Sequence, residues 1–238
     1  MGLAVSPGEC RGFVGRLDLP EGVLLQHMDE PRFQAVFDHV RRRVGRVEHV
    51  FHWPGSPSLV HVDVLHVAPS RRRPFHTLVT CGMSQRPMCP PAAASDCRLA
   101  ELYLCLPPEW PIGYGVREEE DVWPIRELSE LAFLPHVAET WLWSHHTVRP
   151  PDAMERITPG LDFGGWVIGP HIGWRHRDAV LRWEGEDIRF WAALPAYASE
   201  LAFARSEGTT SLIDLYEIAG VTEIVDELRP NLCPVGTA

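Results

Sequence analysis

Apolar and polar residues alternate with a period of two along three neighbouring stretches in the first half of the chain. In Pro74–Met88, β-branched or apolar residues at every second position predict a strand that ends at Gly82, before a polar turn. Similar alternation over Ser58–Ala68 and Arg98–Leu106 predicts a strand on each side. Because consecutive strands with short connections usually pair, the pattern predicts an antiparallel sheet with Pro74–Met88 in the middle.

Helical spacing of apolar residues appears before and after these strands. Asp29-Glu30-Pro31 is typical of a helix start, and the apolar stripe that follows runs from Phe33 to Val47. A second helix is predicted to begin at Trp123 and to end at Pro135, because proline interrupts helical hydrogen bonding.

The second half of the chain mixes both periodicities. A strand is predicted over Glu139–Val148, another over Gly165–Gly169, and a hairpin from Ala179–Trp183 and Ile188–Ala193. Three helical segments are predicted to follow: one after Pro195 that ends at Gly208, then Thr210–Ala219 and Thr222–Leu228.

These elements predict an α/β fold of the α+β type, with a central, mixed and largely antiparallel sheet and helices packed against it. No linker or internal repeat divides the chain. The predicted organisation is a lead-in over residues 1–27, one domain over 28–230 and a tail over 231–238.

The charge of the chain limits the classes of partner. Its 238 residues carry a formal net charge of −10, which argues against nucleic acid and anionic membrane surfaces and suits a basic protein. The arginines of Arg41–Arg46 are interpreted as a solvated helix face rather than a nucleic-acid patch. No apolar run approaches the ~20 residues of a membrane span, so the predicted location is cytoplasmic.

Cysteine and histidine patterns give no metal motif. Four of the six cysteines recur every eighth residue, but no C-x-x-C pair exists, which favours free thiols. The sequence His61-x-Asp63-x-x-His66 contains three residues of types that can bind a metal ion. On a straight strand, however, His66 faces away from His61 and Asp63, so no metal site and no cofactor are predicted. Glu101 lies on a largely apolar face and needs a partner if buried.

Catalytic motifs are also missing from the sequence. There is no H-E-x-x-H, G-x-S-x-G or phosphate loop. His145 and His146 are adjacent, so on a strand they point to opposite faces, which is poor geometry for joint catalysis. The protein is therefore predicted not to be an enzyme; a metal-assisted hydrolase using histidines with Glu101 or Asp63 is the lesser alternative.

An ordered set of short motifs resembles the Suppressor of fused family, in particular its bacterial single-domain members. The match covers roughly residues 28–230. The motifs are V-D-V-L (Val62–Leu65), T-L-V-T-x-G-M-S (Thr77–Ser84), P-M (Pro87-Met88), A-E-L-Y-L-x-L-P (Ala100–Pro107), Glu109-Trp110, W-P-I-R-E-L (Trp123–Leu128), the Leu142–Thr147 segment, Glu200, Gly208 and Leu212.

The resemblance implies a protein-binding function without chemistry. Eukaryotic members capture a short peptide of a transcription factor, and bacterial members resemble immunity proteins that neutralise a co-encoded toxin. Two peptide-gripping positions of the family, one aromatic and one acidic, correspond here to Leu134 and His145, whereas His146 matches the family histidine. The expected function is an immunity protein of a polymorphic toxin system, and the alternative is a regulatory peptide-binding protein.

The predicted partner is a protein, either a toxin domain or a peptide segment. Tryptophans at the edge of a groove are common binding hot spots, and buried tryptophans more often fill a core. The predicted partner-binding residues are Trp123, Leu134, Trp143, His145, His146 and Glu101.

Overall fold

The computed structural model describes residues 9–11, 30–52, 60–113, 116, 119–149, 156–158, 160–170, 174–175 and 177–234. Within these ranges the chain forms nine strands and four α-helices. The strands are β1 (Glu9–Arg11), β2 (Val47–His52), β3 (Asp63–Val67), β4 (His76–Cys81), β5 (Ala100–Leu106), β6 (Thr147–Arg149), β7 (Phe163–Gly169), β8 (Val180–Trp183) and β9 (Glu186–Tyr197). The helices are α1 (Glu30–Arg43), α2 (Glu119–Val137), α3 (Ala198–Glu207) and α4 (Thr209–Ala219).

All nine strands join one mixed sheet. Eight follow the order β1-β6-β7-β9-β5-β4-β3-β2, and β8 pairs with β9. The pairs β1–β6 and β5–β9 are parallel, and the other pairs are antiparallel. The predicted fold class and the central position of β4 between β3 and β5 are therefore confirmed.

The sheet separates two hydrophobic cores. Strand β5 shows how they form, because Leu102 and Leu104 enter the core beneath α2, whereas Tyr103 and Cys105 enter the core beneath α1, α3 and α4. Burial of each large apolar side chain contributes about 1.5–3 kcal/mol. Among the described helices, none is long and apolar enough to cross a membrane.

The N-terminal half contains two strands that the sequence analysis misses, β2 and the short β1, which lies within the predicted lead-in and pairs with β6. Strand β2 includes Val47, which was predicted as the end of the helical stripe, and His52, which was predicted as part of a turn. Helix α1 ends at Arg43, where the amides of Val44 and Gly45 both donate to the Val40 carbonyl. Of the predicted strand Ser58–Ala68, the structure shows Asp63–Val67 as strand; residues 58 and 59 lie outside the described residues.

Helix α2 is longer than predicted at both ends. It starts at Glu119 rather than Trp123, so Pro124 lies within its second turn. At the other end Pro135 does not stop the helix, and the Ala138 amide still donates to the Leu134 carbonyl at 3.0 Å.

The predicted strand Glu139–Val148 is wrong over most of its length. Positive φ angles at Glu139 (47°) and His145 (70°) reverse the chain twice, and strand structure begins only at Thr147. Local β propensity is overridden here by the connection that α2 needs to reach the sheet.

The C-terminal hairpin and two of the three predicted helices are confirmed. Glu184 and Gly185, both with positive φ, form the two-residue turn between β8 and β9.

The predicted helix Thr222–Leu228 is wrong, because this segment extends along β5. There the Cys105 amide donates to the Glu223 carbonyl and the Val225 amide donates to the Cys105 carbonyl, at 3.0 and 2.8 Å. Asn231 and Leu232 of the predicted tail are hydrogen bonded to α3.

Glu101 organises the turn at the end of β4. Its fully buried carboxylate accepts hydrogen bonds from the backbone amides of Gly82, Met83 and Ser84 at 3.0–3.3 Å and from the hydroxyls of Thr80 and Ser84 at 2.6 Å. The partner that the sequence analysis requires for Glu101 is thus this turn. Gly82 has a φ of 132°, and a Cβ there would lie 1.9 Å from the His61 carbonyl oxygen.

Both helical layers also bind this turn. From α2, the Nε2 atom of the buried His136 lies 2.9 Å from the Met83 carbonyl oxygen. From α1, Arg32 donates to the carbonyls of Ser84 and Gln85 at 3.0 and 3.1 Å. The turn therefore links the sheet to helices on both of its faces.

Replacing His136 by glutamine should reduce the decrease in unfolding free energy that the protein shows as the pH falls. Burial lowers the pKa of His136 to about 4, against an ordinary value of 6.5. Protonation therefore favours the unfolded chain. The contribution of neutral His136 to the free energy of unfolding is fully present above pH 6.5 and is lost as the pH falls towards 4. At pH 5 this loss is about 2 kcal/mol, so wild type should lose that much more than His136→Gln between pH 7 and 5. Urea unfolding across this range measures the difference; parallel curves would contradict it.

Candidate partner-binding groove

An open groove of about 700 Å³ lies at the amino-terminal ends of the parallel strands β5 and β9. The loop before β5, the β8–β9 hairpin and the segment between α2 and β6 supply its walls. The groove is lined by Ser95, Asp96, Cys97, Arg98, Leu99, Trp143, Arg182, Gly185, Glu186, Asp187, Arg189 and Trp191. One of these residues, Trp143, is a predicted partner-binding residue.

Two tryptophans form the apolar part of the groove. Trp191 lies on β9 in register with Leu102 of β5, so its position is fixed by the sheet. The ring of Trp143 meets it edge to face, with ring centroids 5.1 Å apart and an interplanar angle of 66°. Both side chains are half-buried against the core beneath α2, and each keeps part of its surface open. Half-open aromatic side chains on a rigid frame are suited to binding.

Hydrogen bonds to β7 hold the Trp143 segment in place. The His145 amide donates to the Ile168 carbonyl at 2.6 Å, and the Ile168 amide donates to the His146 carbonyl at 2.8 Å. The His146 amide donates to the Trp143 carbonyl at 3.1 Å, which closes a turn. The left-handed conformation of His145 between these bonds turns the chain, so Trp143 reaches Trp191 although it is not on a strand.

Paired charges surround the tryptophans. Arg98 donates to Glu186 through Nε at 3.1 Å and also through Nη2. Asp187 accepts from Arg182 at 2.9 Å and from Arg189 at 3.1 Å. Such solvent-accessible ion pairs contribute little stability, so they can exchange for charges on a partner at low cost. The groove is charge-balanced, in contrast to the strongly acidic chain.

The structure brings together three of the six predicted site residues. Trp143 lies in the groove, and His145, two residues away, is exposed, with Ser144 Oγ 3.0 Å from its Nδ1. His146 is buried and packs edge-on against Trp141, with ring centroids 4.3 Å apart. Burial lowers the pKa of His146 to about 4, so this imidazole is neutral at neutral pH.

The other three predicted residues lie in the interior. Trp123, Leu134 and Glu101 are 1%, 4% and 0% exposed. Trp123 donates to the Glu227 carboxylate at 3.0 Å, and Leu134 packs in the core beneath α2. In this conformation the three side chains are not accessible to a partner.

Sequence reasoning misses most of the groove. Trp191 was expected only as a hairpin residue, and the arginines come from segments far apart in the chain. The available signal was the hairpin itself, because charged residues flank its two-residue turn at Arg182, Glu186 and Asp187. The five described cysteines outside β1 are free, and of these Cys81 and Cys105 are buried.

Histidines on and beside strands β2, β3 and β4 form two separate clusters. His66 lies 2.9 Å from His49 and 2.8 Å from His76, nitrogen to nitrogen. His61 instead lies 2.8 Å from Asp63, as measured from Nε2 to Oδ1. The prediction that His66 does not converge with His61 and Asp63 is therefore correct.

Comparison with known protein families identifies the family of the chain. A family model described as Suppressor of fused protein (SUFU) matches residues 58–230, which is most of the chain. The chain belongs to the Suppressor of fused family. The family match begins just before β3 and ends after Arg229, so it includes the central strands and the groove.

Two solved structures of this family are similar to the chain. A Suppressor of fused homologue from Neisseria gonorrhoeae FA 1090 has 16% sequence identity and a TM-score of 0.61, over 85% of this chain and 97% of that one. A structure of the Sufu–Fu complex matches with 10% identity and a TM-score of 0.57, over 83% of this chain and 91% of that one. At these identities the likeness shows a common fold. Among proteins with curated functions, none matches the chain.

Proposed function

We propose that this protein is a non-catalytic protein-binding domain and that the Trp143–Trp191 groove contacts its partner. The observation that carries the proposal is the pair of half-buried, edge-to-face tryptophans set among three arginines. Tryptophan and arginine are the residue types that most often dominate binding energy at interfaces. Membership of a family with a solved Sufu–Fu complex supports a protein partner.

Within this role we propose an immunity protein that binds and neutralises a cognate toxin of a bacterial polymorphic toxin system. The motif resemblance to bacterial family members supports it. The net charge of −10 would speed association with a basic toxin domain, and binding would block the toxin by covering its surface. We propose the cytoplasm as the site of action, where free thiols such as those of Cys81 and Cys105 stay reduced.

Co-expression with the products of neighbouring genes tests the immunity proposal. A toxic neighbour should co-purify with this protein, and growth should be rescued only when both are present. A stable complex with a non-toxic neighbour would instead support the regulatory peptide-binding alternative. If no neighbouring product binds and none is neutralised, the immunity proposal fails.

Alanine at either groove tryptophan should weaken partner binding. Trp143→Ala and Trp191→Ala each remove a central aromatic anchor, which typically costs at least about 2 kcal/mol, or about 30-fold in Kd. Titration calorimetry with the co-purified partner measures this loss.

The matched control is Trp183→Ala. Trp183 lies on the same hairpin, and its side chain packs against the core on the opposite face of the sheet. This control removes a similar half-buried ring and should leave the Kd near the wild-type value. Equal affinities of all three variants would exclude the groove as the contact surface. Loss of binding by Trp183→Ala alone would move the interface to the opposite face.

A further inference from the structure

A mixed histidine–carboxylate cluster lies where β2 and β3 leave the sheet edge. His52, the last residue of β2, is in register with Asp63, the first residue of β3. His61 lies two residues before Asp63 and reaches the same carboxylate. His52 and Asp63 belong to antiparallel neighbours, so backbone pairing fixes the spacing between them, whereas His61 lies in the segment that leads into β3.

The three potential ligand atoms converge on one point. Asp63 Oδ1 lies 2.6 Å from His52 Nδ1 and 2.8 Å from His61 Nε2, and all three atoms lie within 4.8 Å of one another. The Asp63 side chain is 3% exposed, whereas those of His52 and His61 are 68% and 37% exposed. The carboxylate thus forms the floor of a small site, and the imidazoles form walls that are open to solvent.

We propose that this cluster binds one Zn²⁺ ion. Two imidazole nitrogens and one carboxylate oxygen are a common zinc ligand set, and water takes the fourth position where a protein supplies only three ligands. Two ligands of a tetrahedral zinc lie about 3.3 Å apart, given bond lengths of about 2.0–2.1 Å. The two nitrogen–oxygen distances of 2.6 and 2.8 Å would therefore need to lengthen by about 0.5–0.7 Å to fit this ion, which the exposed side chain of His52 allows.

The surroundings distinguish this cluster from the other histidines. Among the described residues it is the one group of three histidine, cysteine or acidic side chains whose ligand atoms lie this close together. The nearby His49, His66 and His76 pair nitrogen to nitrogen without a carboxylate between them. A single buried carboxylate oxygen that faces two imidazole nitrogens is a geometry that one cation satisfies.

Zinc at this position would tie the last residue of the edge strand β2 to the start of β3. A ligand that binds only the folded chain stabilises it in proportion to the logarithm of its concentration over Kd. The site lies on strands that do not line the tryptophan groove. Zinc binding can therefore be tested independently of any protein partner.

The experiment is a zinc titration of tag-free, full-length protein that has been stripped with a chelator and then desalted. We expect one Zn²⁺ per chain by calorimetry, with a Kd in the micromolar range or below, and a rise in Tm. Binding of Co²⁺ at the same site should give visible absorption bands of a four-coordinate ion, which zinc should then displace. Failure to observe saturable one-to-one binding would overturn the proposal.

Substitutions assign the ligands. His52→Ala and His61→Ala should each weaken zinc binding at least about tenfold. His52 is the preferred test, because its exposed side chain can be removed without disturbing the core. The control His145→Asn removes an exposed histidine elsewhere and suits the positive φ at that position, so zinc affinity should not change. Unchanged zinc affinity in both cluster variants would show that another site binds the metal.

Discussion

Replacing Arg229 by methionine should lower the free energy of unfolding by about 3–5 kcal/mol, because it leaves a buried carboxylate without its cation. Glu200 is fully buried and meets Arg229 in a two-point ion pair, with N–O distances of 2.7 and 2.6 Å. Arg229 also donates to the Pro195 carbonyl at 2.9 Å. Its guanidinium lies 4.8–5.3 Å from the ring centroids of three aromatic side chains, Phe163, Tyr197 and Tyr216.

The loss of stability caused by Arg229→Met should also depend on pH, because Glu200 can be protonated. Burial alone would raise the pKa of Glu200, but Arg229 and the amides of Leu232 and Tyr197 outweigh it and hold the pKa below the ordinary 4.5. Since the folded pKa is lowered, this stability is present above pH 4.5 and is lost as the pH falls below it. Without Arg229 the carboxyl can take up a proton, so the cost of the substitution should shrink in acid.

Urea unfolding of Arg229→Met, Glu200→Gln and the double variant measures the coupling between the two side chains. The double variant should lose less stability than the sum of the single losses, because neither charge is then left buried alone. Arg72→Met, at an exposed loop arginine, is the control and should stay within about 0.5 kcal/mol of wild type. A loss below about 1 kcal/mol for Arg229→Met would contradict the structural role given to the pair.

Glu101→Gln should also destabilise the protein by about 3–5 kcal/mol, although it changes few atoms. Three of the five hydrogen-bond donors around Glu101 are backbone amides, at Gly82, Met83 and Ser84, and cannot turn away. The NH₂ group of glutamine would face a donor, so at least one buried N–H would lose its acceptor. Burial raises the pKa of Glu101, and the hydrogen bonds from Ser84 and Thr80 oppose this rise.

The matched control for Glu101 is Glu217→Gln, at an exposed position of α4. It makes the same chemical change without burial, and its unfolding free energy should stay within about 0.5 kcal/mol of wild type. Chemical unfolding of both variants, followed by tryptophan fluorescence and by circular dichroism, gives the comparison. If both substitutions cost the same, the turn does not depend on the carboxylate.

The central strands could be predicted because each shows, within its own sequence, the alternation that is typical of a strand. In β4 and β5 a period of two is sustained over six and seven residues, and every residue is buried. Strand β2 also alternates, but its six residues include a glutamate and two histidines and follow directly on a helical stripe. What makes it a strand is pairing with β3, which local pattern does not contain. Missing β2 also hid the pairing of His52 with Asp63.

The groove could be predicted only in part, because its residues are neighbours in space and not in sequence. Trp143 was identified through the family resemblance, whereas Trp191 had no signal beyond its place in a hairpin. The Arg98–Glu186 ion pair joins residues 88 positions apart. Conversely, Trp123 belongs to a family motif and Leu134 corresponds to a peptide-gripping position of the family. The structure places both in the core, since such a correspondence does not separate packing from binding.

The parallel pairing of β5 with β9 has a consequence for folding kinetics. Strands β2 to β5 form an antiparallel series of sequence neighbours, whereas β5 meets β9 through residues 100 and 189, which are 89 positions apart. Closing a loop of that length costs about 2 kcal/mol more entropy than closing a ten-residue loop. We therefore expect the β2–β5 half to assemble first and the pairing of β5 with β9 to be the slow step of folding. The wall of the groove supplied by β9 is then complete only in the last stage of folding.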